Sequence, residues 1–214
     1  MRLLIDDLPD VDASLERLAR SVTEEGGLLR LPLGLDRDGF LRFCERHPEV
    51  VAELDADGTV ELMSPQHPRS SEYDGIVYAK LFQWWEQTRL GKVYNSSGGW
   101  ALPSGAVRAP DAAWVSDAQI ASTPDEEWDR FARVVPPFVA EVRSRSDRRV
   151  RLEAKMVDTW LAAGVELAWL LDPVEGRATV YRPGAEPQEH DNLAGSLSGG
   201  ELLPGFTFAL AYLR

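Results

Sequence analysis

The 214-residue sequence is poor in the residues and segments that mark several protein classes. It has one cysteine, Cys44, which excludes an internal disulfide and a cysteine-based zinc cluster. Its three histidines, His47, His67 and His190, lack metal-ligand spacing. No apolar run approaches the roughly 20 residues of a membrane-spanning helix, and residues 1–7 carry acids where a signal peptide would be apolar. We therefore expect a cytoplasmic protein without membrane association.

Positive charge is also scarce. The chain has 23 lysines and arginines against 35 acids, a net charge of −12. Proteins that coat nucleic acid usually have domains with a pI above about 9, so this class is disfavoured. A nuclease is not excluded, because bound metal ions supply positive charge at the reacting phosphate. One segment is densely basic, with Arg143, Arg145, Arg148, Arg149 and Arg151. It could contact phosphates, or be a solvated helix face.

Hydrophobic periodicity predicts helices and strands that alternate along the chain. The size fits one domain, or one domain with a small N-terminal addition. Apolar stripes at helical spacing predict helices at residues 12–25, 36–46, 70–89 and 147–163. Short apolar or alternating runs predict strands at 51–54, 59–63, 92–95, 100–102, 111–115, 137–142, 167–171, 178–182, 188–192 and 206–210. This order indicates an α/β or α+β protein built around one mixed sheet.

Two acids lie next to strongly apolar segments. Glu141 ends an apolar run that is typical of a strand buried on both faces, where an ionised carboxylate needs a cation or a metal as partner. Asp111 follows Pro110 at the start of another apolar run. Each has a simpler interpretation. Glu141 could form a structural ion pair with Arg143 or Lys155, and Asp111 could be a turn or cap residue.

A lysine lies beside the buried stripe of the last predicted helix. Leu152, Met156 and Trp160 mark that stripe, and Lys155 lies at its edge. Lys155 could simply extend its ammonium into water. Taken together, two carboxylates on adjacent strands can bind Mg²⁺ through oxygen ligands, and a nearby lysine can stabilise transition-state charge.

Several short motifs occur in a characteristic order. They are LMSP at 62–65, APD at 109–111, PFVAEVRS at 137–144, the helix with Lys155, and GVELAWLLDP at 164–173. Over residues 36–185 the chain resembles the Uma-type restriction-endonuclease-like family of the PD-(D/E)XK nuclease superfamily. The resemblance implies an αβββαβ core with the site at one edge of a mixed sheet. With the helix predicted at 12–25, we expect an N-terminal helical extension at 1–35 and a nuclease domain at 36–214.

The family resemblance assigns roles to five residues. Asp111 matches the superfamily aspartate and Glu141 the glutamate, which implies that both bind Mg²⁺ or Mn²⁺. The lysine position of the Glu-x-Lys motif holds Arg143, and the resemblance suggests Lys155 as the substitute, since related nucleases supply a lysine from the following helix. Glu72 is the candidate for an acid on the first core helix. It could equally be a first-turn acid favoured by the helix dipole.

Three functions remain open at this point. The first is a Mg²⁺-dependent endonuclease that hydrolyses DNA phosphodiester bonds, expected to be a homodimer because two-fold symmetry suits the cleavage of both strands. The second is a catalytically silent nuclease-like domain used for binding or dimerisation, favoured by the arginine at position 143 and the acidic charge. The third is a metal-dependent hydrolase of a small phosphate ester.

Overall fold

A computed structural model describes residues 29–63 and 66–214. The predicted helix at 12–25 lies outside the described residues. In chain order the elements are β1 (Leu29–Pro32), α1 (Arg37–Arg46), β2 (Val51–Leu54), β3 (Thr59–Met63), α2 (Pro68–Thr88), β4 (Lys92–Asn95), β5 (Trp100–Ala101), β6 (Val107–Arg108), β7 (Ala112–Val115), α3 (Asp117–Ser122), α4 (Asp125–Trp128), β8 (Phe138–Val142), α5 (Arg149–Ala154) with a π-helical continuation (Lys155–Leu161), β9 (Leu167–Asp172), β10 (Arg177–Tyr181), β11 (Gln188–Asp191), β12 (Ser196–Ser198), β13 (Thr207–Ala209) and a final 3₁₀ turn (Leu210–Leu213).

The described residues divide into two compact units, 29–63 with 101–108 and 66–100 with 109–214. The first unit contains a five-stranded sheet in the order β1-β3-β2-β6-β5. Helix α1 begins where Asp36 Oδ1 accepts a hydrogen bond from Gly39 N at 2.7 Å, a side-chain N-cap. The β2–β3 hairpin turns at Gly58, whose φ of +82° favours glycine. Residues 29–32, part of the predicted helical extension, form strand β1 paired with β3.

The second unit is built on a six-stranded mixed sheet in the order β11-β10-β9-β8-β7-β4. Strands β8 and β9 pair in parallel, as expected for strands joined by a helical crossover, and the other neighbours pair antiparallel. The succession α2-β4-β7-β8-α5-β9 is the predicted αβββαβ core. The predicted α+β class and mixed sheet are confirmed.

Helix α2 and the helix after β8 supply the side chains that surround one end of this sheet. The buried residues of α2 are Asp74, Val77, Leu81 and Trp84, which recur at helical spacing. Three of them join the core formed with β7, β8 and β9. The helix after β8 buries Met156 and Trp160 completely. Among the described helices, none combines the length and the apolar composition needed to cross a bilayer.

Candidate active site

Asp111 and Glu141 lie side by side at one end of the mixed sheet. Ala112 of β7 is paired with Ala140 of β8, so the next antiparallel position brings Asp111 opposite Glu141. Val142 N donates a hydrogen bond of 2.6 Å to Asp111 Oδ2, which ties the carboxylate to β8. The predicted adjacency of the two acids is therefore confirmed, while their roles as metal ligands stay a prediction.

Glu141 is buried and receives two donors from the helix that follows β8. Trp160 Nε1 donates to Glu141 Oε1 at 2.7 Å. Lys155 Nζ lies 2.9 Å from the same oxygen. Only 6% of Glu141 is exposed, so these partners offset much of the cost of burying its charge. The predicted contact of the Lys155 ammonium with Glu141 is confirmed, and a catalytic role for Lys155 stays a prediction.

The environment of Asp111 opposes its ionisation. Burial raises its pKa well above the usual range, and the charges of Glu141 and Asp74 raise it further. The hydrogen bond from Val142 N and the charge of Lys155 lower it, but do not offset the rise. The carboxyl groups are thus close enough to repel one another, and a cation bound among them would relieve that repulsion.

Asp74 is a third acid at this site, and the sequence analysis missed it. It is 7% exposed, and burial raises its pKa to about 6, with contributions from the charges of Glu141 and Asp147. Gln66 and Asp111 are near enough to lower the pKa by hydrogen bonding, but within the described residues neither carboxylate oxygen has a hydrogen bond that is good in both distance and angle. The sequence pattern could have identified Asp74, because it precedes the buried residues Val77 and Leu81 of α2 at helical spacing and so lies on the same face.

Two further predicted residues, Glu72 and Arg143, have different surroundings, and their catalytic roles stay predictions. Glu72 is exposed and lies beyond the first turn of α2, which begins at Pro68 and has no acid in that turn. Asp74, two residues further on, is the α2 acid whose charge raises the pKa of Asp111. Arg143 Nη1 contacts Asp172 Oδ2 at 2.8 Å and Glu175 Oε1 at 2.7 Å. This pairing joins Arg143 to the end of β9 and to the turn that follows it, and a catalytic role for Arg143 stays a prediction. The expectation that Lys155, rather than Arg143, contacts Glu141 is correct.

The charge balance of the site fits a divalent cation. It combines three carboxyl groups, Asp74, Asp111 and Glu141, with the ammonium of Lys155. The buried oxygens of Asp74, which lack a well-formed hydrogen bond in the described part of the chain, are the kind of donor that a hard cation or its bound water satisfies. Within residues 29–63 and 66–214, no three acid, histidine or cysteine side chains are arranged to hold an ion together. Mg²⁺ is commonly bound by one or two carboxylates, with water and substrate phosphate completing its shell.

Known proteins that resemble this chain are described as nucleases. A profile of the Uma2 family, described as "Putative restriction endonuclease", matches residues 37–211. The chain belongs to the Uma2 family. This match includes every residue of the site described above, and it agrees with the family resemblance inferred from the sequence motifs.

A solved structure has the same fold as this Uma2 chain. It is described as a "putative nuclease belonging to DUF820" from Anabaena variabilis, and superposes with a TM-score of 0.68 at 16% identity. The alignment covers 84% of this chain and 97% of that protein. No curated protein matches the sequence. The restriction-endonuclease-like fold is thereby confirmed, and the chain stands among proteins described as nucleases.

Proposed function

We propose that this chain is a divalent-metal-dependent endonuclease that hydrolyses phosphodiester bonds of DNA. One observation carries the proposal. Three acids, Asp74, Asp111 and Glu141, lie close enough at one end of the sheet to raise the pKa of Asp111, and the Lys155 ammonium contacts the Glu141 carboxylate. Such a combination of acids and a lysine suits phosphoryl transfer, where positioning and charge stabilisation supply most of the catalysis.

Each side chain has a separate task in this proposal. Asp111 and Glu141 would hold Mg²⁺ or Mn²⁺, and Asp74 would accept a hydrogen bond from a water molecule bound to the ion. When bound, the ion polarises a phosphoryl oxygen and lowers the pKa of water. The Lys155 ammonium, oriented by Glu141 at 2.9 Å, would stabilise the negative charge that grows on the phosphate.

The basic segment after β8 supports a polyanionic substrate. Arg143 and Arg149 are engaged in ion pairs with Asp172. Arg145, Arg148 and Arg151 are exposed, and they lie four to ten residues beyond Glu141 in the chain. Guanidinium groups at such a place can contact DNA phosphates on either side of the scissile bond. Such a locally basic surface can bind DNA even though the net charge of the whole chain is negative.

A small phosphate ester is the second candidate substrate, and the net charge of −12 favours it. An acidic protein repels a long polyanion more strongly than a small ester with one or two charges. The two substrates are separated by comparing nicking of plasmid DNA with hydrolysis of bis(p-nitrophenyl) phosphate. A DNA endonuclease prefers the plasmid, and a catalytically silent domain acts on neither.

The test is a plasmid-nicking assay with Mg²⁺ or Mn²⁺, run on wild type and on Asp111→Ala, Lys155→Ala and Glu72→Ala. We expect metal-dependent nicking that is lost in the first two variants. Glu72→Ala is the matched control, because it removes an exposed acid from the helix that carries Asp74. Nicking that persists in Asp111→Ala, or that needs no metal, would contradict the proposal.

We further propose that the active form is a cytoplasmic homodimer, because two-fold symmetry lets two sites address the two strands of a duplex. Light scattering of the purified protein at micromolar concentration is expected to give twice the chain mass. A monomer under the conditions of the nicking assay would contradict the dimer and leave single-strand nicking as the activity.

A further inference from the structure

The helix that follows β8 changes its hydrogen-bonding pattern at Lys155. Residues Arg149–Ala154 are α-helical, and Lys155–Leu161 form a π-helix. The helix ends at Gly164, whose φ is +112°, and Val165 N caps it by donating to Trp160 O at 3.1 Å. π-Helical turns are rare and occur frequently at functional sites. The transition coincides with the lysine that contacts Glu141.

The π turn has a geometric consequence for Lys155 and Trp160. Residues five apart in an α-helix point about 140° away from each other, since each residue advances by about 100°. A turn whose hydrogen bonds span one more residue advances less per residue and brings the pair closer together. Both side chains accordingly contact one atom, Glu141 Oε1, at 2.9 Å and 2.7 Å.

We propose that Trp160 is a positioning residue that, through the π turn, orients the Glu141 carboxylate for metal binding. This inference rests on the proposed function. Trp160 is completely buried, so packing fixes its ring, whereas the Lys155 side chain is 20% exposed. The indole N–H therefore defines where Glu141 Oε1 lies, and the carboxylate is held in one orientation. Hydrogen bonds that orient a metal ligand in this way typically contribute a factor of 10–100 to metal affinity.

Trp169 provides a matched control on the neighbouring strand. Its side chain is also completely buried, but its indole N–H has no hydrogen-bond partner within the described part of the chain. Replacing either tryptophan by phenylalanine removes similar volume from the core of the second unit. Only the change at Trp160 removes a donor from Glu141.

The experiment measures Mn²⁺ affinity by titration calorimetry and thermal unfolding without metal for wild type, Trp160→Phe, Trp169→Phe and Asp111→Asn. We expect Trp160→Phe to bind Mn²⁺ about 10-fold to 100-fold more weakly than Trp169→Phe. We also expect its nicking rate to recover largely at saturating Mn²⁺, because the variant retains both carboxylates and Lys155. An affinity within about twofold of Trp169→Phe, alongside weakened binding in Asp111→Asn, would overturn the inference alone. Unchanged affinity in Asp111→Asn would overturn the proposed function itself.

A second variant protects the test against loss of folding. Incorporation of 3-benzothienylalanine at position 160 keeps the shape of the ring and replaces the N–H by sulfur. We expect the same loss of Mn²⁺ affinity with unfolding close to that of wild type. Wild-type affinity in this variant would show that the N–H does not position Glu141.

Discussion

Two clusters of acids, one in each unit, have similar composition and different charge balance. In the first unit Glu53, Asp55 and Glu61 surround Arg108. Arg108 Nη1 lies 3.1 Å from Glu53 Oε2 and 2.7 Å from Glu61 Oε2, and Nη2 lies 3.0 Å from Asp55 Oδ1. Arg30 adds a second guanidinium, 2.6 Å from Asp55 Oδ2. Burial lowers the pKa of Arg108, but the three acids raise it above its ordinary value.

The cluster in the second unit has three acids and a single lysine. Lys155 is paired with Glu141, while the oxygens of Asp74 have no well-formed hydrogen bond in the described part of the chain. The pKa of Asp111 and that of Asp74 are both raised, with burial as the leading cause. The comparison teaches that buried acids alone do not mark a functional site. We infer that the second cluster differs because three acids share one lysine, whereas in the first cluster three acids share two guanidinium groups.

The largest expected effect is the loss of nicking activity when an acid of the second cluster is replaced. Asp111→Asn keeps the shape of the side chain but removes a charge and a ligand oxygen, so metal-dependent nicking should fall by about a thousandfold. The apo protein should be as stable as wild type or more stable, because a poorly compensated charge is removed. A clear loss of stability, measured by thermal unfolding without metal, would instead make Asp111 a structural residue like the acids around Arg108.

Breaking the first cluster should affect folding and not metal binding. Arg108→Met leaves buried acids without their main cation, and we expect the free energy of unfolding to fall by about 3 kcal/mol. Urea denaturation of the two proteins measures this difference. Arg182→Met, at an exposed arginine, is the control and should change stability by less than about 0.5 kcal/mol. A similarly small change in Arg108→Met would mean that the first cluster is not a structural ion network.

The raised pKa of Asp74 predicts how the stability of the metal-free protein changes with pH. Its pKa rises from 3.8 to about 6 on folding, so the folded protein binds more protons between those values and loses stability as pH rises through about 6. Asp74→Asn should therefore stabilise the metal-free protein by roughly 1–3 kcal/mol at pH 8 and by nothing below about pH 4. Unfolding in EDTA across this range measures the effect. A pH-independent difference, or one as large in Glu72→Gln, would contradict it.

The smallest expected effect concerns substrate binding. Arg148→Ala removes one exposed guanidinium of the basic segment and should weaken DNA binding a few-fold. The slope of log affinity against log salt should fall in magnitude by about one, as for a single phosphate contact. Arg182→Ala is the control. An unchanged salt slope in Arg148→Ala would mean that the basic segment does not contact the DNA backbone.

Much of the fold was predictable because its strands are apolar and short. The buried β8 and β9 match the predicted runs almost residue for residue, and register follows from which faces are buried. The π-helical turn was not predictable, because helical periodicity assumes 3.6 residues per turn. The strand Leu29–Pro32 was missed since its residues are only partly apolar and pair with β3, more than 25 residues away in the chain.

The site was predictable in part. Glu141 and Lys155 were found because a charge in an apolar pattern is conspicuous, and the structure brings them to 2.9 Å. Asp74 was missed because the predicted helix began at residue 70, which placed Glu72 in its first turn, where the helix dipole favours an acid. In the structure α2 begins at Pro68, and its first turn has no acid. Asp74 lies on the same stripe as Val77 and Leu81, so burial rather than position in the helix distinguishes it. The indole donor Trp160 was assigned to the core, and only the three-dimensional contact reveals its second role.

We propose that the second cluster binds a divalent cation and that the first cluster does not. Titration calorimetry with Mn²⁺ on wild type, Asp111→Asn and Glu61→Gln tests it most directly. We expect one saturable ion per chain in wild type, the same affinity in Glu61→Gln, and a loss of at least tenfold in Asp111→Asn. Absence of saturable binding in wild type, or equal affinity in all three proteins, would contradict it.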